Sequence, residues 1–262
     1  MVDIHSHILS GIDDGAKSIE DSLALCRIAA EDGIETIVAT PHVMEFRYPN
    51  RRETIEGPFA LLASAVAAEK LSLRLVPGAE VHIAADLVTR LKEGDLMTYD
   101  DNRRYMLLEF PFQQVVSGTE EIVYKLRLAG VTPVVAHPER IAFFMDNLGR
   151  LESLLKLGAL AQVTGGSLLG AFGERSERAA WRMVERRLVH VVASDAHDQK
   201  HRRPELRAAS DLLASRAGEE TARMMSHDLP AAIIAGAEFD VPEPVPAPAG
   251  FKAFFGSLFS RS

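Results

Sequence analysis

Five of the nine histidines in this 262-residue chain lie in short polar clusters that close an apolar run. His5 and His7 follow Val2–Ile4, and His42 follows Ile34–Ala39 in Thr40-Pro41-His42. Glu80 comes after Leu73–Pro77 in Gly78-Ala79-Glu80, and Glu109 lies near the end of Tyr105–Phe110. His137 closes Val131–Ala136, while Asp195 and His197 close Val189–Ser194. Imidazoles and carboxylates without thiolate suit manganese, iron or zinc. Two residues apart on a strand, His5 and His7 point the same way and can reach one ion. A carboxylate such as Glu80 can bridge two ions ~3.5–4 Å apart. Asp13 and Asp14 in Gly11-Ile12-Asp13-Asp14-Gly15 offer further ligands. Any one of these residues is ordinary by itself, since a strand-end Asp often caps the next helix. Eight of them at one position relative to their strands have a common cause, and a polynuclear metal site supplies it. His82, His190, His201 and His227 fall outside this register.

Strand ends converge only if the strands are parallel. The apolar runs, with a seventh at Ala159–Val163, are rich in β-branched residues and read as strands buried on both faces. Helical patterns separate them at Ile19–Glu31, Pro58–Lys70, Glu120–Ala129, Leu148–Lys156 and Glu177–Arg187. Gly33, Gly130 and Gly158 each stand where a left-handed cap ends a helix before a strand. Seven β-α units in succession predict an α/β fold with a parallel sheet, closed or nearly closed into a barrel over residues 1–240. The C-terminal faces of such strands are where catalytic residues collect. Residues 241–262 differ: Val241–Gly250 reads as a stiff Pro-rich linker. Phe251, Phe254, Phe255, Leu258 and Phe259 then form one helical face, suited to docking on a partner, on a second copy or on a membrane surface.

The balance of 29 basic and 37 acidic residues gives a net charge of −8, which disfavours nucleic acid as a partner. The single cysteine, Cys26, excludes an internal disulfide and a thiolate-rich zinc site and fits a reducing compartment. Six residues after it stands Asp32, not the arginine that cysteine-based phosphatases require, so a thiolate nucleophile is excluded. The N-terminus has no signal-peptide pattern and no run is long enough to span a bilayer, so a cytoplasmic location is expected.

The strings Asp3-Ile4-His5-Ser6-His7, Gly11-Ile12-Asp13-Asp14-Gly15-Ala16, Thr40-Pro41-His42, Gly78-Ala79-Glu80, His137-Pro138-Glu139-Arg140 and Ser194-Asp195-Ala196-His197 resemble the polymerase-and-histidinol-phosphatase (PHP) superfamily. Within it they are similar to the bacterial capsule and exopolysaccharide tyrosine-protein phosphatases, in order from Met1 to about Pro204. Ser10 stands where that family usually has proline. The resemblance implies a distorted (β/α)7 TIM-like barrel of the PHP type holding three ions, usually manganese, with iron or zinc as substitutes. It implies His5, His7, Glu80 and Asp195 around the first ion, and Glu80, Glu109 and His137 around the second. His42, His197 and one acid of the Asp13-Asp14 pair, preferentially Asp14, would hold the third. Arg140 and an arginine before Pro204 would bind substrate phosphate; Arg203, directly before that proline, is preferred over Arg202.

The function so implied is hydrolysis of phosphotyrosine by water that the metals activate, on a protein partner such as a tyrosine kinase controlling polysaccharide export. A phenol with a pKa of ~10 leaves more readily than a serine alkoxide, which favours aryl phosphates. Two other readings compete: a phosphoesterase acting on a small molecule such as histidinol phosphate or on nucleic-acid ends, and a catalytically silent metal-binding scaffold. Arg47, Arg51 and Arg52 could attract an acidic tyrosine-rich tail or be simple surface charge.

Overall fold

The computed structural model describes residues 1–113 and 117–246. Its strands are β1 (Val2–Ser6), β2 (Thr36–Ala39), β3 (His42–Val43), β4 (Arg74–Pro77), β5 (Glu80–His82), β6 (Tyr105–Glu109), β7 (Thr132–Ala136), β8 (Leu160–Thr164) and β9 (Val191–Ala193). All pairings between them are parallel, in the orders β1-β2-β4 and β3-β5-β6-β7-β8-β9. The sevenfold expectation and these nine strands agree once two interruptions are recognised. Thr40-Pro41 divides β2 from β3, and Gly78-Ala79 divides β4 from β5. Pro41 has no N–H for the ladder, although its carbonyl still accepts from Glu80 N–H at 3.0 Å. At Gly78 a Cβ would come within 2.9 Å of Val38, so the neighbouring strand passes where a side chain would stand. Each interrupted pair therefore behaves as one kinked strand, and His42 and Glu80 sit on the segments beyond the kinks.

The first and last strand units meet. His7 N–H donates to Ala196 O at 2.7 Å, and Asp195 N–H donates to His5 O at 2.8 Å. Asp3, fully buried, accepts from Ser194 N–H at 3.0 Å and from the Ser194 hydroxyl at 2.5 Å. Alternation then sorts the apolar side chains into two layers. Val2, Ile4, Val38, Val134 and Val191 fill the interior with Leu229 and Ile233 of the helix Leu229–Ile234. A larger layer packs the outer strand faces against helices such as Ile19–Asp32 and Glu174–Glu185. The first of these begins at Ser18, whose side chain accepts from Asp21 N–H, and ends at Gly33 with φ 90°, as its position implied.

Helix boundaries differ from expectation where local signals mislead. The second long helix is Arg52–Ala68, six residues longer at its start, with Pro58 inside it. Proline was read there as a helix start, but the arginine-anchored turn ahead of it sets the helix: Arg52 binds Asp101 and the carbonyls of Gly94 and Leu96. Beyond residue 205 the structure adds short helices, including Arg207–Ala217. Among the described residues no helix is long and apolar enough to cross a membrane. Val245 N–H donates to Arg186 O at 2.9 Å, so the start of the Pro-rich stretch runs back along the body. The Phe251–Phe259 face lies outside the described residues.

Asp3 carries the closure. Asp3→Ala leaves the buried Ser194 donors without their acceptor, a loss of about 1–3 kcal/mol in urea unfolding. An unchanged midpoint would mean that the main-chain bonds and packing between the two strands suffice without Asp3.

Candidate metal centre

Eight expected residues and Asp14 converge above the strand ends. Glu80 on β5 is the hub: Oε1 lies 3.0 Å from His137 Nε2, and Oε2 lies 2.9 Å from His42 Nδ1. The same Oε2 is 3.3 Å from both His5 Nε2 and His7 Nε2. Those two imidazole nitrogens are only 3.2 Å apart. Register explains part of the convergence, since His42 pairs with Glu80 across β3 and β5, and His82 pairs with Glu109 across β5 and β6. Asp195 Oδ1 closes the ring from β9, at 3.3 Å from His5 Nε2.

Hydrogen bonds behind the ring fix which nitrogen faces inward. His5 Nδ1 donates to Gln162 Oε1 at 2.9 Å, His7 Nδ1 to Asp13 Oδ2 at 2.8 Å, and His197 Nδ1 to the Asp195 carbonyl at 3.0 Å. Each bond leaves Nε2 to the centre. Asp13 also accepts from the backbone N–H groups of Gly15 and His42. The two adjacent acids thus divide the work: Asp13 orients His7, and Asp14 faces His42 and His197 at 3.4 and 3.5 Å. Gly15 makes room for this loop, because a Cβ there would lie 1.9 Å from the His7 carbonyl oxygen. Gln162 was not singled out from sequence; its signal was one polar residue inside an apolar strand, buried completely in β8.

The donors fit a metal cluster. Four overlapping sets bring their ligand atoms within 4.8 Å of one another: His7-Asp14-His42-His197, His5-His7-Glu80, His5-His137-Asp195 and His42-Glu80-Glu109. The sets differ from the expected grouping in placing His7 with the third group and His137 beside Asp195. Buried Glu109 Oε2 and His137 Nδ1 have no hydrogen-bond partner among the described residues, and the close approach of His42 Nδ1 to Glu80 Oε2 lacks hydrogen-bond geometry. Unpartnered buried acceptors are costly, and cations between them are the economical remedy. Electrostatics agree. Burial opposes charge at Glu80, but His5 and His42 outweigh it and hold the carboxyl well below its usual range. Burial also opposes protonation of His42, yet Glu80 beside it lifts the imidazole to about 10. His197 goes the other way, to about 4, through burial and the neighbouring His7. His137 and Asp195 adopt left-handed φ of 32° and 54°, conformations that non-glycine residues keep only where surroundings enforce them.

A cavity of about 270 Å³ opens over these donors, with Arg140, Arg202, Tyr48 and Phe112 also in its wall. Arg140 Nη1 binds Asp195 Oδ2, and its guanidinium lies 4.1 Å over the Phe172 ring. Arg202 Nη2 reaches the same Asp195 oxygen at 2.5 Å, and its buried Nε has no partner among the described residues. Arg203, preferred from sequence, is displaced from the site: its side chain is 42% exposed and pairs with Glu205 at 2.9 Å. The reason is the turn after His197, where His197 N–H and Asp198 N–H both bond to Arg202 O and bring residue 202 against Asp195. Glu139 lies below Arg140, fully buried, and accepts from Thr164 N–H at 3.0 Å and the Ser167 hydroxyl at 2.7 Å, which pins the Pro138–Arg140 turn. Of the three arginines left open, Arg47 lines the cavity, Arg52 is tied to Asp101, and Arg51 lies 3.7 Å from Asp95. His82 also lines the cavity, although sequence had set it aside.

Comparison with known proteins identifies the family and the fold. A family model described as capsular polysaccharide synthesis, CpsB/CapC, matches residues 1–235. The tyrosine-protein phosphatase YwqE of Bacillus subtilis is 37% identical over 228 residues, covering 87% of this chain and 89% of that protein. The tyrosine-protein phosphatase CpsB of Streptococcus pneumoniae is 33% identical over 243 residues, covering 89% and 98%. A crystal structure from work on YwqE and CpsB, described as unique metal-dependent tyrosine phosphatases, superposes with a TM-score of 0.90 at 34% identity. It covers 95% of this chain and 100% of its own.

Two measurements test the metal reading. Gln162→Leu removes the partner of His5 Nδ1, and divalent-cation affinity is expected to fall about 10–100-fold with the circular dichroism spectrum retained. Unchanged affinity would make Gln162 a mere filler of β8. Because Glu80 raises the His42 pKa to about 10, cation binding at pH 7 is expected to displace its proton. Calorimetric titration in buffers of different ionisation enthalpy is expected to show net proton release, and affinity is expected to weaken as pH falls from 8 to 6.

Proposed function

Because the chain belongs to the CpsB/CapC capsular polysaccharide synthesis family, we propose that it is a metal-dependent protein-tyrosine phosphatase acting on a phosphotyrosine-bearing protein of polysaccharide export. The observation that carries this reading is the pairing of a buried His-carboxylate cluster with two arginines on one Asp195 oxygen. Phosphoryl transfer asks for little beyond positioning and neutralisation of charge, and this site supplies both.

His5, His7, His42, His137, His197, Asp14, Glu80, Glu109 and Asp195 would hold the ions, which we take to be manganese. When bound, such ions acidify water and offset the charge of a phosphate. The remaining work belongs to the chain. Arg140 and Arg202 present their guanidinium groups at the cavity wall, where a phosphate dianion would draw N–H donors toward its equatorial oxygens. Asp195 holds both arginines in place beforehand, so the anion meets donors already oriented. Phe172 beneath Arg140 limits the freedom of that side chain. The departing phenolate, at a pKa of ~10, needs no strong acid beside it. We take the partner to be a tyrosine kinase that governs polysaccharide export and the location to be the cytoplasm. The lone, buried Cys26 suits that compartment.

Removal of metal with a chelator is expected to abolish hydrolysis, and added manganese to restore it for a phosphotyrosine peptide well above a phosphoserine peptide or histidinol phosphate. Preference for histidinol phosphate, or no turnover of any substrate, would defeat the assignment. Arg140→Ala and Arg202→Ala are each expected to reduce turnover by about 10²-fold with metal content intact. Arg203→Ala is expected to stay near the parent, since its side chain faces Glu205.

A further inference from the structure

Two aromatic side chains in the cavity wall take no part in holding metal or phosphate. Tyr48 follows β3, and its ring stacks on His42 with centroids 5.4 Å apart and planes within 8°. Phe112 follows β6, and its ring stacks on His137 at 5.5 Å and 11°. Both lie flat against an imidazole that is itself held by the central carboxylate. Both also line the cavity that opens over Arg140 and Arg202.

Their partial exposure has no packing explanation. Phe112 is 41% exposed, and Tyr48 is half-buried in a short turn closed by Met44 N–H to Tyr48 O at 2.8 Å. The Tyr48 ring, stacked on His42, presents its other face toward the cavity. Rigid aromatic faces at the edge of an anion pocket are suited to a planar, apolar ring attached to that anion.

We propose that Tyr48 and Phe112 are the specificity walls of the site: they stack on the aromatic ring of an aryl phosphomonoester while Arg140 and Arg202 hold its phosphate. The assignment rests on the reading of the site as a phosphomonoesterase and adds what selects its substrate. An alkyl phosphate offers no face to either wall. Phe112 also lies under Arg140, with the guanidinium carbon 5.3 Å from its ring centroid, so ring and phosphate contacts are set by adjoining groups.

Titration calorimetry on the manganese-loaded chain separates the two contacts, with phenylphosphonate and methylphosphonate as probes. The parent is expected to bind phenylphosphonate about tenfold or more tighter than methylphosphonate. Tyr48→Ala and Phe112→Ala are each expected to reduce that preference by about two- to tenfold, the loss falling on phenylphosphonate more than on methylphosphonate. The conservative Tyr48→Phe and Phe112→Tyr are expected to keep it, which guards against loss through misfolding. Equal affinity for the two probes in the parent, or an undiminished preference in both alanine variants, would overturn the assignment. Turnover of a phosphotyrosine peptide by the same preparation reports separately on the phosphatase reading: intact ring preference without turnover would defeat that reading and spare the walls.

Discussion

One carboxylate in contact with four imidazoles governs this molecule. Glu80 receives His5, His7, His42 and His137 within 3.3 Å, all of them buried. Bringing so much titratable surface out of water is costly unless charge is matched closely. The match cannot come from one stretch of chain, because each group must approach from a different side. Parallel strands meet that demand: each delivers its end to the same face, and the intervening helices return the chain to the start of the next. The kinks at Thr40-Pro41 and Gly78-Ala79 then turn His42 and Glu80 inward over the mouth.

Around the hub, support is layered. Gln162 and Asp13 orient imidazoles, Glu139 pins the turn that carries Arg140, and Asp3 draws the first strand against the last. None of these touches the open face of the cavity. Each spends a buried hydrogen bond on aiming another side chain, and together they make the left-handed backbone at His137 and Asp195 tenable.

Much of this was legible in the sequence, and the reason is geometric. Strand period and strand end are local properties, so the clusters at His5, His42, Glu80, Glu109, His137 and Asp195 could be placed before any coordinates were known. The order of the strands was equally accessible, because right-handed parallel connections leave few alternatives. What escaped was set by turns and by neighbours distant in sequence. The choice between Arg202 and Arg203 depends on how the chain folds back after His197, a matter of two main-chain bonds to one carbonyl. Gln162 drew no notice in its strand, because its partner His5 is 157 positions away. The resemblance to known phosphatases supplied the division of labour between metal and arginine, which spacing alone left open.

The meeting of β1 with β9 has a consequence for how the protein is made. Asp3 and Ser194 are 191 positions apart, and the ring of donors needs both. A growing polypeptide on the ribosome therefore exposes His5 and His7 long before Asp195 and His197 exist. Until that late moment the N-terminal histidines are an open chelate for whatever cation is abundant. The complete donor set cannot assemble until the final strand is in place, whatever cation those early histidines meet first.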